Sequence, residues 1–211
     1  MSGSAALAEL SAGLAAGDDG ELETLLRSAA EEAGPVAVEE AILQSHLFLG
    51  FPAALRGMRV WRRLREDAGE EGAVGFDAAA PSEWEARGEE VCRRVYGSAY
   101  RGLRRNVGRL HPDLDAWMIR DGYGKVLGRE GLDLAARELC IVATLAADGS
   151  PRQPLHSHLR GALRAGAEPA DVEEALEAGL AKRPDTDRTG GARELWRRVR
   201  ERATSDESRP G

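Results

Sequence analysis

The stretch from Asp133 to Gly149, DLAARELCIVATLAADG, is apolar almost all round after Glu138. A helix that is hydrophobic on every side has to be enclosed by others. The rest of the chain supplies candidates. Apolar residues recur at helical spacing in nearly every segment, and no period-2 run marks a strand. Aromatic residues make up only 5% of the 211-residue chain, and Ala, Leu, Arg and Glu dominate, as in helical proteins. The expected fold class is all-α: a compact domain of about eight or nine helices.

Several helix boundaries can be read directly. DGELETLLRSAAEEAG opens with acidic residues and closes at Gly34. AVEEAILQSHLF ends at LGFP, and PAALRGMRVWRRLRE follows with Leu55, Met58, Trp61 and Leu64 at intervals of three. REDAGEEGAVGFDAAAP reads as a loop. Ser82, with Glu85 three residues on, predicts a capping box opening a long helix through Val91, Val95, Tyr96 and Leu103 towards Leu110. HPDLDAWMIRDGYGKVLG reads as a short helix and a turn, with His111 at the helix end. PLHSHLRGALRAG and PADVEEALEAGLAK form a helix pair, RPDTDRTGG a linker and ARELWRRVRERA a last amphipathic helix. The expected domain spans 1–203, with 204–211 a flexible tail.

GPVAVEEAIL, Gly34 to Leu43, is similar to GAEPADVEEAL, Gly166 to Leu176, and Ser-His-Leu occurs in each half. The Ser-His-Leu stands in the same predicted helix as the first copy, just after Leu43, and before the second copy. An internal repeat and chance similarity between Ala/Glu-rich helices both account for this.

Charge and composition exclude some functions. A net charge of −7 argues against general nucleic-acid binding. No window has the roughly 18 apolar residues of a membrane span. The N-terminal stretch lacks the basic start of a secretion signal. Cys92 and Cys140 do not make a disulfide framework, so a reducing cytoplasm is the expected compartment. His156 and His158 lie two apart, about 200° around a helix, which argues against a shared metal; no metal site is expected.

RELCIVATLAADGSPRQPLHSHLRGALRAGAEPADVEEAL, Arg137 to Leu176, resembles the carboxymuconolactone decarboxylase family of the alkylhydroperoxidase D-like superfamily. The match lies in an Arg-Glu pair opening a buried helix, a small-residue turn, a His helix of the form Leu-x-x-His-x-x-Gly-Ala-Leu, a Gly turn and an acidic helix. GYGKVLGREGLDLAARELC, Gly122 to Cys140, is similar to the family's approach to that helix. The family's next segment stands here near the N-terminus instead, as VEEAILQSHLFLGFPAALRGMRVW, Val38 to Trp61. The resemblance therefore implies a circularly permuted order, with blocks 35–65 and 122–180 packed together.

The resemblance also implies chemistry: a cofactor-independent carboxy-lyase acting on a small carboxylated unsaturated lactone or related acid. His158 matches the family's His-helix position and is the candidate general acid, with Glu138 beside it as catalytic partner. His46, Gln44, Arg160 and Tyr123 are candidates for substrate binding, and Trp117 for an apolar wall. Glu138 is either enclosed with a partner or an exposed first-turn acid. Of Glu39 and Glu40, one is expected to face solvent. Redox relatives carry Cys-x-x-Cys where this chain reads PRQP, Pro151 to Pro154, and Cys140 reads as inert core, so a peroxidase-like function is the weakest reading. A non-enzymatic helical oligomer binding a small acid or a protein partner is the other alternative. Relatives assemble through helical faces, so a homo-oligomer is expected.

Overall fold

The computed structural model describes residues 2–68, 77–149, 152–183 and 187–207, the side chains of 187–190 and 204–207 excepted. All regular structure among them is helical, as the periodicity predicts. The helices are α1 (Gly3–Ala16), α2 (Asp19–Ala33), α3 (Pro35–Asp67), α4 (Pro81–Tyr96), α5 (Tyr100–Leu110), α6 (Pro112–Trp117), α7 (Leu134–Asp148), α8 (Arg152–Ala165), α9 (Pro169–Leu180) and α10 (Asp187–Glu207). A 3-10 turn, Gly97–Ala99, joins α4 to α5, and a π-helical segment, Met118–Leu127, follows α6. No helix of the described residues is long and apolar enough to cross a membrane.

The apolar run becomes α7, capped by Asp133, whose carboxylate accepts the Ala136 N–H at 2.8 Å. Twelve of its 15 residues are buried. Against it lies α1, with nine of 14 buried. Small residues make the contact: Ala8 and Ala12 of α1 join Val142 and Ala143 in one apolar cluster. A second cluster gathers Leu7, Leu10 and Leu14 of α1 with Leu22 and Leu26 of α2 and Ile42 and Trp61 of α3. Fully burying an aliphatic side chain contributes about 1.5–3 kcal/mol, so these two clusters are the main cohesive element.

Two three-helix units are visible around α1 and α7. In each, a strongly buried helix leads to a second helix that ends at a glycine with positive φ, Gly34 (85°) or Gly166 (103°). A third helix then starts with proline in its first turn, Pro35 or Pro169. Seventeen residues separate Gly17 from Gly34, and seventeen separate Gly149 from Gly166. The repeat is thus in register over the second helix of each unit, although the Ser-His-Leu triplets are not equivalent.

Several boundaries differ from expectation. The helix predicted to open at Ser82 starts at Pro81; Glu83, not Glu85, closes the cap by accepting the Ala80 N–H at 3.3 Å. Proline's fixed φ sets the first helical position. The same helix breaks at Gly97 rather than running to Leu110. The predicted turn after α6 is π-helical, because its backbone is pressed onto α4: a Cβ on Gly88 would overlap the Ile119 carbonyl, and one on Gly124 the Trp84 carbonyl. In α3 the predicted stop at LGFP is a kink at Gly50 (φ 75°, ψ 170°). Beyond it the buried face runs through Ala54, Gly57, Val60, Trp61 and Leu64, so Leu55 stays 50% exposed. The segment read as a linker already contains the start of α10, whose backbone continues to Glu207, inside the expected tail. The loop expected at 65–81 falls partly outside the described residues.

Candidate functional site

The Arg-Glu pair that opens α7 is split between two sides of the helix. Adjacent helical residues point about 100° apart. Arg137 turns to α3 and Glu138 to α8.

Arg137 is fully buried and completely engaged. Its guanidinium donates to Glu40 Oε2 at 2.8 Å, to the Leu132 and Arg129 carbonyls at 3.1 and 3.0 Å, and to Gln44 Oε1 at 3.3 Å. Gln44 returns a bond from Nε2 to the Arg137 carbonyl at 3.1 Å. Arg129 closes on Glu40 from the other side at 2.9 Å. Burial draws Arg137 down from its ordinary range, while Glu40 draws it back up. Glu40 is therefore wholly enclosed, and Glu39 is 4% exposed, held by Trp61 Nε1 at 3.0 Å and by Arg62 at 2.8 Å. The expectation that one of the two faces solvent is wrong. Glu40's cationic partners lie 89 and 97 residues away, and Glu39's, Arg62, stands 23 residues on in the same helix.

Glu138 is enclosed rather than exposed, at 0% accessibility. Its Oε2 lies 2.9 Å from Nδ1 of His158, itself 6% exposed. With the acid ionised, Nδ1–H donates and Nε2 carries the free lone pair. Gly161 makes the approach possible: a Cβ there would lie 2.5 Å from Glu138 Oε2. The second carboxylate oxygen, Oε1, is buried without a hydrogen-bond partner among the described residues. An orphaned buried acceptor costs about 1–3 kcal/mol.

Around this pair stand Phe48 of α3, edge-on to the His158 ring at 5.6 Å, and two tyrosines. Tyr123, from the π-helical segment, is buried and hydrogen-bonded to Tyr96 of α4, which also bonds Ser157. Burial pushes Tyr123 well above 10 and raises Tyr96 as well, with the Glu138 charge adding to both. Both therefore stay hydroxyls.

The remaining candidates lie elsewhere. Gln44 is bonded to Arg137 through both ends of its amide. His46 is partly exposed, stacked on Phe51 at 5.1 Å, with Nδ1 against the Leu43 carbonyl at 2.6 Å. It is Phe48, two residues on, that touches His158. Arg160 lies on the α8 face turned towards α10, about 200° from His158. Trp117 is 53% exposed and is not an inner wall. His111 ends α5 and caps α6, its Nδ1 accepting the Asp113 N–H at 3.1 Å. Phe48 was not singled out by the sequence, and Tyr96 was placed only as one of the positions, with Val91, Val95 and Leu103, along a predicted long helix.

Cys92 and Cys140 are both fully buried, and burial raises them to about 12 and about 11. Neither is a thiolate near neutral pH. Among the described residues, no three His, Cys, Asp or Glu side chains group as metal ligands.

Comparison with known proteins bears on residues 112–181, which match the carboxymuconolactone decarboxylase family. That span holds Glu138, His158 and Tyr123; α3 lies outside it. An uncharacterized 15.0 kDa protein from the nqo9–nqo10 intergenic region of Paracoccus denitrificans is 30% identical over 90 residues, which is 42% of this chain and 67% of that protein. The chain belongs to the carboxymuconolactone decarboxylase family.

Proposed function

We propose that this protein is a cofactor-independent carboxy-lyase in which Glu138 and His158 form the acid–base pair. The observation that supports this is the enclosed 2.9 Å contact between the two, with one Glu138 oxygen left without a partner. The substrate class is a small carboxylated unsaturated lactone or related acid. In such a substrate the bond to the carboxylate carbon breaks, CO2 leaves, and the electron pair passes to the conjugated carbonyl. A proton then returns to carbon. His158, oriented by Glu138, takes a proton from solvent on the Nε2 lone pair and delivers it to carbon, returning to the neutral ring. Of the hydrogen-bonded Tyr96–Tyr123 pair, both kept protonated by burial, one hydroxyl donates to the other, and the remaining O–H supplies a hydrogen bond for the negative charge developing on the carbonyl oxygen. In this reading α3 occupies the place of the family segment that follows the acidic helix, a circular permutation, and its Phe48 covers His158. The chain also associates with copies of itself, for which the exposed Phe51 (68%) and Leu55 (50%) of α3 are the supporting observation; a monomer mass in light scattering at micromolar concentration counts against this.

The test follows CO2 release, or loss of the conjugated ultraviolet absorbance, across a panel of carboxylated unsaturated lactones. Wild type turns one over, and His158→Ala slows it by about 100- to 10,000-fold with folding retained. A silent wild type ends the lyase reading. An active wild type with an equally active variant keeps the reaction and removes the site.

A further inference from the structure

A pocket of about 210 Å³ opens between α8 and α10, on the far side of α8 from the acid–base pair. From α8 it is lined by His156, Arg160 and Arg164, a spacing that sets them on one helix face. From α10 comes Arg202. Leu163, Val199 and Ala203 complete the wall with apolar surface.

Three guanidinium groups around one small space stand out in a chain of net charge −7. Elsewhere on α10 the arginines meet carboxylates: Arg193 with Glu177 at 2.7 Å, Arg197 and Arg198 with Glu194 at 2.8 and 2.7 Å, and Arg200 with Glu173 at 3.1 Å. The pocket has no carboxylate among its lining residues, and Arg160 and Arg202 have no ion pair among the described residues. Arg164 is anchored by a bond to the Val95 carbonyl at 3.3 Å, which fixes one guanidinium at the pocket wall. The local potential is positive: burial lowers His156 from 6.5, and Arg160, Arg202 and Arg164 lower it further.

We infer that this pocket binds a small organic anion, a carboxylate or phosphate ester on a short carbon skeleton. The arginines offer paired N–H donors to its oxygens. The neutral His156 ring adds one donor. Leu163, Val199 and Ala203 seat the carbon skeleton. The inference does not depend on the lyase reading.

The test titrates the whole protein with succinate and with glycerol 3-phosphate, ionic strength being held constant with potassium chloride. The readout is the imidazole NMR signal of His156, with His111, exposed at the α5–α6 junction, as control. At least one of the two anions shifts His156 saturably while His111 stays put, and which one does so identifies the head group. Arg160→Gln and Arg202→Gln each weaken binding at least tenfold, while Glu138→Gln leaves it unchanged. Shifts no larger than those from chloride alone, or arginine variants that bind as wild type does, overturn the inference.

Discussion

Eleven residues before Gly17 stands Ala6; eleven before Gly149 stands Glu138. Eight before Gly34 stands Leu26; eight before Gly166 stands His158. All four side chains are buried. In the unit made of α1, α2 and the start of α3, these two positions belong to a single apolar cluster. In the unit of α7, α8 and α9 they are an acid and a base with an unsatisfied oxygen between helices. The same helical arrangement closes with Ala and Leu, so its geometry does not require Glu and His. Enclosing a charged pair is at best neutral for stability compared with apolar residues of similar size. The difference locates chemistry in the second unit and cohesion in the first.

The largest effect comes from making the second unit resemble the first. Glu138→Ala combined with His158→Leu abolishes turnover, a loss of about 100- to 10,000-fold. Its chemical denaturation midpoint stays near or above that of wild type. A fall in stability of more than about 4 kcal/mol breaks the comparison and makes the pair structural. Next comes the other half of the Arg-Glu pair. Arg137→Met leaves Glu40 with Arg129 alone and Gln44 Oε1 without its donor, and costs about 3–5 kcal/mol in denaturant unfolding. A variant as stable as wild type shows that the Arg137 network is as dispensable to the fold as the Glu138 pair.

These contrasts also show what the chain discloses before folding. The enclosure of α7 was legible because its apolar residues cover every side. The break at Gly50 was legible because Gly and Pro stand two apart. The positions of Glu39 and Glu40 were not, since their neutralising arginines lie up to 97 residues away and no local pattern announces them. Arg160 was legible and misread: the same 200° arithmetic that separates His156 from His158 separates His158 from Arg160. Phe48 reaches His158 only because α3 packs back against α7, a tertiary fact with no local signature. Met118–Leu127 looked like a turn because its glycines are a turn signal; close approach to α4 is what they serve.

The smallest effect is alkaline. Cys140 is buried in the apolar cluster of the first unit, and Cys92 in the cluster of the second. Both are raised from 9.0, to about 11 and about 12. The unfolded thiols therefore ionise first. Stability falls as pH rises above 9, by about 1.4 kcal/mol per pH unit for each thiol, until each folded group ionises in turn. Iodoacetamide at pH 8 labels neither cysteine until the protein unfolds. Rapid labelling of one native cysteine shows that its unit opens more readily than the other.

The seam between α1 and α7 has a kinetic meaning. Each unit gathers helices that are neighbours in sequence, so its contacts form early and over short loops. The docking of Ala8 and Ala12 onto α7 instead closes a loop of more than a hundred residues. Loop-closure entropy rises only with the logarithm of length, so the seam is affordable but late. Disturbing it therefore hastens unfolding while leaving the refolding rate nearly untouched.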